Sequence, residues 1–174
     1  MTYINTLNYN VTQWFEERDL IDNAQPIAQF SKLVEEFGEA CDEMQIDGST
    51  DKARVEIGDC MVVINGLANQ LGINPDTVIF DMVVTGAPRF DFDNVMSMVN
   101  RNCRQGLVTL GRLAECINKG RDATNALREV YFVVQHFASI LNVAPSECYA
   151  LAYAKIKDRK GVMRDGIYVK SEDV

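Results

Sequence analysis

The stretch from Phe30 to Met44, FSKLVEEFGEACDEM, decides the fold class of this chain. Apolar residues recur in it at steps of three and four, which is the spacing of an amphipathic α-helix. The apolar positions are Leu33, Val34, Phe37, Ala40, Cys41 and Met44. The pattern predicts a helix that buries one face against the rest of the protein.

A second helical stretch follows the polar segment DGSTD at 47–51, whose small and polar residues are typical of a turn and an N-cap. We expect the second helix to run from about Lys52 to Leu71 and to end at Gly72. Asn74-Pro75 then begins a short further helix, because proline is favoured at the first helical position.

The chain repeats this pattern after its clearest internal break, TGAP at 85–88. A shift of 70 residues sets INGLANQLGINP, 64–75, against VQHFASILNVAP, 134–145, and the turn after the helix matches as well as the apolar positions. Gly38 and Gly111 also correspond if the loop between the two helices is about three residues shorter in the second copy. The match favours an internal duplication.

The whole pattern predicts an all-α fold, with residues 1–174 as a single domain. We expect a helical bundle of two degenerate helical-hairpin repeats, a pseudo-dimer within one chain. The first repeat covers about 11–85 and the second about 90–160. The tail from Gly161 to Lys170 is expected to be extended. Two hairpins that merely obey the same packing rules are the alternative to a true duplication.

Composition excludes several classes of protein. The chain has 174 residues and a net charge of −8, so it is a poor candidate for nonspecific binding to nucleic acid or to an acidic membrane. Its apolar runs are too short to span a bilayer, and its N-terminus lacks the pattern of a secretion signal. The five cysteines contain no C-x-x-C pair, so neither a disulfide framework nor a zinc site is indicated. We expect a soluble, cytoplasmic protein with reduced thiols.

Charge is unevenly distributed along the chain. Residues 1–87 hold 15 acidic and 4 basic side chains, whereas residues 88–174 hold 10 acidic and 13 basic ones. An acidic half and a basic half favour a composite site, with a metal bound on one side and phosphate on the other. Electrostatic complementarity between two packed halves explains the same distribution without any site.

Two pairs of acidic residues lie beside the apolar faces of the two long helices. Glu36 and Glu39 border the apolar face of the first helix, and Glu56 and Asp59 open the second at positions that continue into its core pattern. Carboxylates that converge in partly dry surroundings repel one another, and Mg²⁺ or Mn²⁺ relieves that repulsion. Either pair alone is typical of a solvated helix face or a helix N-terminus. Two pairs on consecutive helices favour a metal site.

These acids carry a resemblance to a known family. EEFGE at 35–39, followed by EIGD at 56–59, resembles the EExxE…ExxD signature of the MazG-like nucleoside triphosphate pyrophosphohydrolases. That family belongs to the all-α NTP pyrophosphatase superfamily, which includes the dimeric dUTPases. The segments WFEERDLI, 14–21, and AQFSKL, 28–33, are similar to the family's N-terminal part. KIKDRKGVMRDGIYVK, 155–170, is similar to its C-terminal part.

The resemblance implies Mg²⁺-dependent hydrolysis of a nucleoside or deoxynucleoside triphosphate to the monophosphate and pyrophosphate. The expected partner is therefore the nucleotide substrate, and neither nucleic acid nor a membrane is expected to bind. Carried over by position, the resemblance makes Glu36, Glu39, Glu56 and Asp59 the Mg²⁺ ligands, with Mn²⁺ as a possible substitute. Glu35 becomes a further catalytic residue that orients water.

Five further residues are candidates for substrate binding, namely Lys32, Lys155, Arg159, Trp14 and Asn65. Lys155 and Arg159 lie one helical turn apart and can both reach phosphates, although a solvated basic helix end fits them equally well. Trp14 can stack on a base, although packing in the core is the commoner role. Asn65 is expected on the polar side of the second helix, where it can contact a base edge.

The acidic positions are not kept in the second copy. Under the 70-residue shift, Ala126 replaces Glu56 and Glu129 replaces Asp59, while TLGR at 109–112 stands in place of the acidic helix. The basic residues near the C-terminus have no counterpart in the first copy. We therefore expect one composite site, with acids from the first copy and bases from the second.

A homologue that binds nucleotides or a protein partner as a sensor, without efficient turnover, is the main alternative to an enzyme. A di-iron carboxylate bundle needs E-x-x-H pairs, and His136 is the single histidine of the chain, which nearly excludes that class. Relatives with single repeats form dimers or tetramers. We therefore expect a homodimer, although a duplicated chain can also act alone.

Overall fold

The computed structural model describes residues 2–46, 51–81, 92–164 and 167–170. Within these ranges the chain is a bundle of α-helices with one short antiparallel hairpin, which confirms the predicted all-α class. The elements in chain order are α1 (Tyr3–Glu16), α2 (Pro26–Ile46), α3 (Asp51–Gln70), a 3-10 helix (Pro75–Thr77), α4 (Phe92–Asn118), α5 (Thr124–Ile140), α6 (Pro145–Ile156), β1 (Gly161–Arg164) and β2 (Ile167–Lys170).

The sequence patterns predicted most of these elements. The helix expected from Phe30 to Met44 lies inside α2, and the one expected from Lys52 to Leu71 coincides with α3 to within a residue at each end. The extended tail forms β1 and β2, which pair with Gly161 opposite Lys170. The predicted breaks fall at 47–50 and 85–88, which are outside the described residues.

Helix α3 is the centre of the bundle. Every residue from Glu56 to Ala68 is buried, and the helix contacts α1, α2, α5 and α6. The sequence pattern had placed Asn65 on a polar side of this helix. That expectation was wrong, because the polar residues on that side face α1 and form hydrogen bonds with it. A helix enclosed by four neighbours has no solvent-exposed face.

Two glycines allow α3 to approach its neighbours closely. A Cβ at Gly58 would lie 2.1 Å from the carbonyl oxygen of Cys148, and a Cβ at Gly66 would lie 2.3 Å from the Phe15 ring. Gly58 therefore lets α6 pack directly against α3, while Gly66 does the same for α1. The first of these contacts brings the end of α6 to the acidic positions of α3.

Helices α3 and α5 end in the same way, 70 residues apart. The backbone is left-handed at Gly72 (φ 69°) and at Asn142 (φ 56°). The next residues, Ile73 and Val143, donate their amides to carbonyls five residues earlier, at 2.9 and 3.0 Å. These are the bonds of a Schellman helix end. The agreement is consistent with the predicted repeat.

No helix among the described residues is long and apolar enough to cross a membrane.

Candidate metal centre

Three carboxylates from two helices converge in the bundle. One oxygen from each of Glu36, Glu56 and Asp59 lies within 4.8 Å of the other two. Glu36 comes from α2, whereas Glu56 and Asp59 are one turn apart on α3. The three residues are only 7%, 9% and 7% exposed. Three of the four predicted metal ligands thus meet in surroundings that are largely closed to water.

The other acids of the signature lie outside this carboxylate cluster, which we define as Glu36, Glu56 and Asp59. Glu39 is exposed on α2, and its carboxylate is not among the converging oxygens. Its negative charge is still close enough to raise the pKa of Glu56. Glu35 is also exposed. Both residues therefore lie at the rim of the cluster and not inside it.

Two lysines neutralise part of the cluster. Lys155 of α6 donates a hydrogen bond to Asp59 Oδ2 at 2.6 Å. Lys32 Nζ lies 2.7 Å from Glu36 Oε1, and it also donates to Glu35 Oε1 at 2.8 Å. Each lysine side chain is about half exposed, so each head group joins the buried acids to the solvent.

The third acid has no such partner. Glu56 Oε2 is buried and accepts no hydrogen bond from the described part of the chain. Burial raises the pKa of Glu56 to about 7, and the charge of Asp59 contributes in the same direction. Burial also raises the pKa of Glu36, although Lys32 opposes the shift. The cluster therefore carries negative charge that its own surroundings do not fully stabilise.

The lysines keep their charge in this setting. Burial alone lowers the pKa of Lys155, but the hydrogen bond to Asp59 and the charges of Asp59, Glu56 and Glu36 outweigh it, so that the pKa is raised. For Lys32 the opposing effects again sum to a raised pKa, because Glu35 and Glu36 both hydrogen-bond to it. Both side chains are ammonium ions at neutral pH.

Gly58 is a residue of the site that sequence reasoning missed. It lies between the two acids of EIGD and faces the backbone of Cys148 on α6, which allows Lys155 to reach Asp59. The available signal was a glycine inside an otherwise apolar helical pattern, which often indicates a close helix contact. Its importance was hidden because the packing partner lies far along the chain.

Trp14 lies in the core. It is 7% exposed, donates its indole N–H to the carbonyl of Ile156 at 2.9 Å, and is covered by the Arg18 guanidinium, 4.4 Å from the ring centroid. This is the packing role, and it fixes α1 to the end of α6. Arg159 is partly exposed and forms no ion pair within the described ranges, while its carbonyl accepts from Arg18.

Asn65 is fully buried and does not face solvent as predicted. Its amide donates to the carbonyl of Asn8 at 3.1 Å, and its oxygen accepts from the Thr12 hydroxyl at 3.1 Å and from Asn69 at 3.0 Å. The side chain therefore holds α1 against α3. Both ends of its amide group are occupied by protein partners, so the predicted contact with a base would require these bonds to break.

The carboxylate cluster fits a divalent cation. Hard cations such as Mg²⁺ are bound by carboxylate oxygens, and the three acids offer them from two rigid helices. The unpartnered, buried Glu56 oxygen is an observation of its own, because buried polar atoms are normally paired. Lys32 and Lys155 give the site a positive rim that suits phosphate. Such an arrangement would suit a cation and an anion side by side.

A phage protein shares part of the sequence. A protein of Haemophilus phage HP1, described as an uncharacterized 18.2 kDa protein in the rep-hol intergenic region, is 41% identical to the chain over 70 residues. The match covers 40% of this chain and 42% of the phage protein, so the chain spans less than half of that relative. No protein-family model and no solved structure matches the chain.

Proposed function

We propose that the protein is a Mg²⁺-dependent pyrophosphohydrolase that converts a nucleoside or deoxynucleoside triphosphate into the monophosphate and pyrophosphate. One observation carries the proposal. The oxygens of Glu36, Glu56 and Asp59 converge within 4.8 Å in a buried position, and Glu56 Oε2 accepts no hydrogen bond from the described residues. The resemblance of residues 35–39 and 56–59 to the family signature supports the same activity.

The metal ligands in this proposal are the three clustered acids. The cation, when bound, neutralises phosphate charge and makes the phosphorus more open to attack by water. Lys32 and Lys155 pair with Glu36 and Asp59 and so compensate part of the carboxylate charge. The two ammonium groups lie at the rim, where they are suited to bind phosphate oxygens and to orient the chain of three phosphates.

Glu35 and Glu39 complete the proposed site from its exposed side. They are the candidates to orient the attacking water and to accept its proton, because their carboxylates are accessible to solvent. The water oxygen bonds to the α-phosphorus, and the bond from that phosphorus to the bridging oxygen breaks. Pyrophosphate leaves with the electron pair.

A nucleotide sensor without turnover is the second candidate. The observation that favours it is that Asp59 and Glu36 are already paired with lysines, as in an ion-pair cluster that only stabilises the fold. Such a cluster does not require a cation. It leaves the buried Glu56 oxygen unexplained, which is why we prefer the enzyme.

Pyrophosphate release measured across the common NTPs and dNTPs, with Mg²⁺ and with EDTA, tests the proposal. We expect release from at least one nucleotide with Mg²⁺ and none with EDTA. Calorimetric titration with Mg²⁺ alone provides a second readout, in which Glu56→Gln should weaken binding. Nucleotide binding without pyrophosphate release would favour the sensor. An unchanged Mg²⁺ affinity in Glu56→Gln would contradict the assignment of Glu56 as a metal ligand.

A further inference from the structure

A groove between α4 and α5 holds a cavity of about 470 Å³. It is separate from the carboxylate cluster, which lies on α2 and α3. Asn102, Thr109 and Arg112 line it from α4, and Phe132, Gln135 and His136 line it from α5. Its size is in the range of small-molecule sites in proteins.

The groove occupies the position in the second half that corresponds to the carboxylate cluster in the first. Arg112 follows Gly111 as Glu39 follows Gly38, and Glu129 is the counterpart of Asp59 under the 70-residue shift. Arg112 Nη1 lies 2.8 Å from Glu129 Oε2. This pair is neutral by itself, so the groove has neither the need nor the ligands for a cation.

One buried polar atom in the groove has no partner. Gln135 is 2% exposed, and its Oε1 accepts no hydrogen bond from the described residues. Its counterpart on α3, Asn65, accepts a hydrogen bond from the Thr12 hydroxyl of α1. Gln135 on α5 therefore lines a cavity at the position where Asn65 on α3 contacts a helix. A buried carbonyl oxygen of this kind favours a ligand that supplies an N–H or O–H donor.

A helix cannot fill the groove in the way that α1 covers α3. Close packing of α1 depends on Gly66, since even a Cβ there would lie 2.3 Å from the Phe15 ring. The counterpart of Gly66 in α5 is His136, whose imidazole occupies the same side of the helix and lines the cavity. The substitution keeps a helix at a distance and leaves a space for a smaller occupant.

The remaining lining selects the chemistry of that occupant. Phe132 is 45% exposed although it is a large aromatic residue, so its ring offers a stacking surface. Asn102 and Ser139 also line the groove, and their donors are used within the protein, by the Val133 carbonyl at 2.8 Å and the Gln135 carbonyl at 3.2 Å. The side-chain oxygens of both residues can accept from ligand hydroxyls. The Arg112–Glu129 pair leaves no excess positive charge for a polyphosphate. We propose that this groove binds an uncharged nucleoside independently of metal, with its base stacked on Phe132 and a base N–H donated to Gln135.

The single histidine makes the test specific. His136 lines the groove, so the imidazole resonances of isotope-labelled protein report on this site and on no other histidine. The probes are adenosine, guanosine, cytidine, uridine and thymidine, each titrated in EDTA. We expect a saturable shift of the His136 resonances with at least one nucleoside. Asp59→Asn should leave that titration unchanged, because the carboxylate cluster is not involved.

Two variants make the assignment falsifiable. Phe132→Ala should weaken the affinity about tenfold, since it removes the stacking surface from a half-exposed position. The control is Leu151→Ala, which truncates a residue of similar exposure (42%) on α6 and should leave the affinity unchanged. Gln135→Leu should also weaken binding, with circular dichroism to check that the helices remain.

The outcomes separate this proposal from the proposed function. No shift of His136 with any of the five nucleosides overturns the nucleoside site, whether or not pyrophosphate is released at the carboxylate cluster. Equal nucleoside affinities in Phe132→Ala and in the wild-type protein, measured from the His136 shift, also overturn it. A shift that requires Mg²⁺ and disappears in Asp59→Asn would mean that the nucleoside acts through the carboxylate cluster instead.

Discussion

Lys155 of α6 and Asp59 of α3 form an ion pair of 2.6 Å, although 96 residues separate them in the chain. The pair links the basic end of the second half to the acidic helix of the first. Asp59 is nearly buried there, while the lysine head group reaches solvent. This contact brings a base of one half against an acid of the other, as a composite site requires.

Glu56→Gln separates catalysis from folding. The change keeps the size of the side chain but removes a ligand charge, so turnover should be nearly abolished in an assay of pyrophosphate release. The fold should be unharmed or slightly stabilised, because the carboxylate has an unpaired buried oxygen and is repelled by its neighbours. Thermal melting in EDTA at pH 8 measures the second effect.

Glu115→Gln is the matched control for that experiment. Glu115 is an exposed acid on α4 that pairs with Lys119 and Arg121 and is not one of the converging carboxylates. Its variant should keep full turnover. Full Mg²⁺-dependent activity in Glu56→Gln would contradict the metal assignment.

Lys155→Ala should weaken substrate binding or turnover as well as the fold. The lysine is half exposed, but its loss leaves the nearly buried Asp59 carboxylate without its partner, so we expect a loss of stability of about 1 to 3 kcal/mol. In the proposed enzyme it binds phosphate, and its loss should raise KM or lower kcat. Lys157→Ala is the control, because Lys157 lies at the same helix end and, among the described residues, its ammonium group pairs only with the exposed Asp158. Equal KM and kcat values for the two variants would contradict the proposed role of Lys155 in substrate binding.

The sequence was sufficient to predict α2, α3 and three acids that converge, whereas Glu39, which was also expected as a ligand, lies outside the cluster. A strong apolar period identified α2 and α3, and E-x-x-E followed by E-x-x-D placed acids at matching edges of two neighbouring helices. The pairing of Lys155 with Asp59 was not predicted, because the uneven charge distribution indicated only a composite site of acids and bases. That expectation concerned two regions, and the individual contact depended on packing.

The environment of α3 could not be predicted in the same way. Periodicity reports which side of a helix is apolar, but Asn65 is buried and Asn69 is half-buried because α1 supplies hydrogen-bond partners for them. A polar residue with such partners looks like a surface residue in the sequence. Trp14 was ambiguous for a related reason, since an indole can serve a core or a ligand equally well. Tertiary contacts decided both cases.

Stability without divalent cations should fall as the pH rises from 5 to 8. Glu56 has a pKa near 7 in the folded protein, above the value of about 4.5 for an unperturbed glutamate. The folded state therefore binds more protons than the unfolded state between these values, and deprotonation of Glu56 favours unfolding. The melting temperature in EDTA, measured across this range, checks the direction.

Two comparisons make the cause of that pH dependence clear. Added Mg²⁺ should raise the melting temperature more at pH 8 than at pH 5.5, because at the lower pH protons compete with the cation for the Glu56 carboxylate. Glu56→Gln should show a smaller decline with pH than the wild-type protein. A decline of the same size in both proteins would assign it to other groups.

The bundle carries exposed apolar residues at corresponding positions of α2 and α4. Val34 is 45% exposed and Leu107 is 74% exposed, and they lie four residues before Gly38 and Gly111, respectively. A Cβ at either glycine would have no atom within 4 Å, so both helix surfaces are open at these points. Apolar side chains beside bare helix backbone suit contact with another helix, and we expect them in the interface of a homodimer.

Leu107→Asp tests this expectation by sedimentation velocity at micromolar concentration. The wild-type protein should sediment as a dimer, and the variant should shift towards the monomer because a charge would be buried in the interface. Leu151→Asp introduces the same charge at an exposed position of α6 and should leave the dimer intact. A wild-type monomer under these conditions, or an unchanged dimer in Leu107→Asp, would contradict the prediction. In the first case the duplicated chain acts alone, and in the second the interface lies on another face.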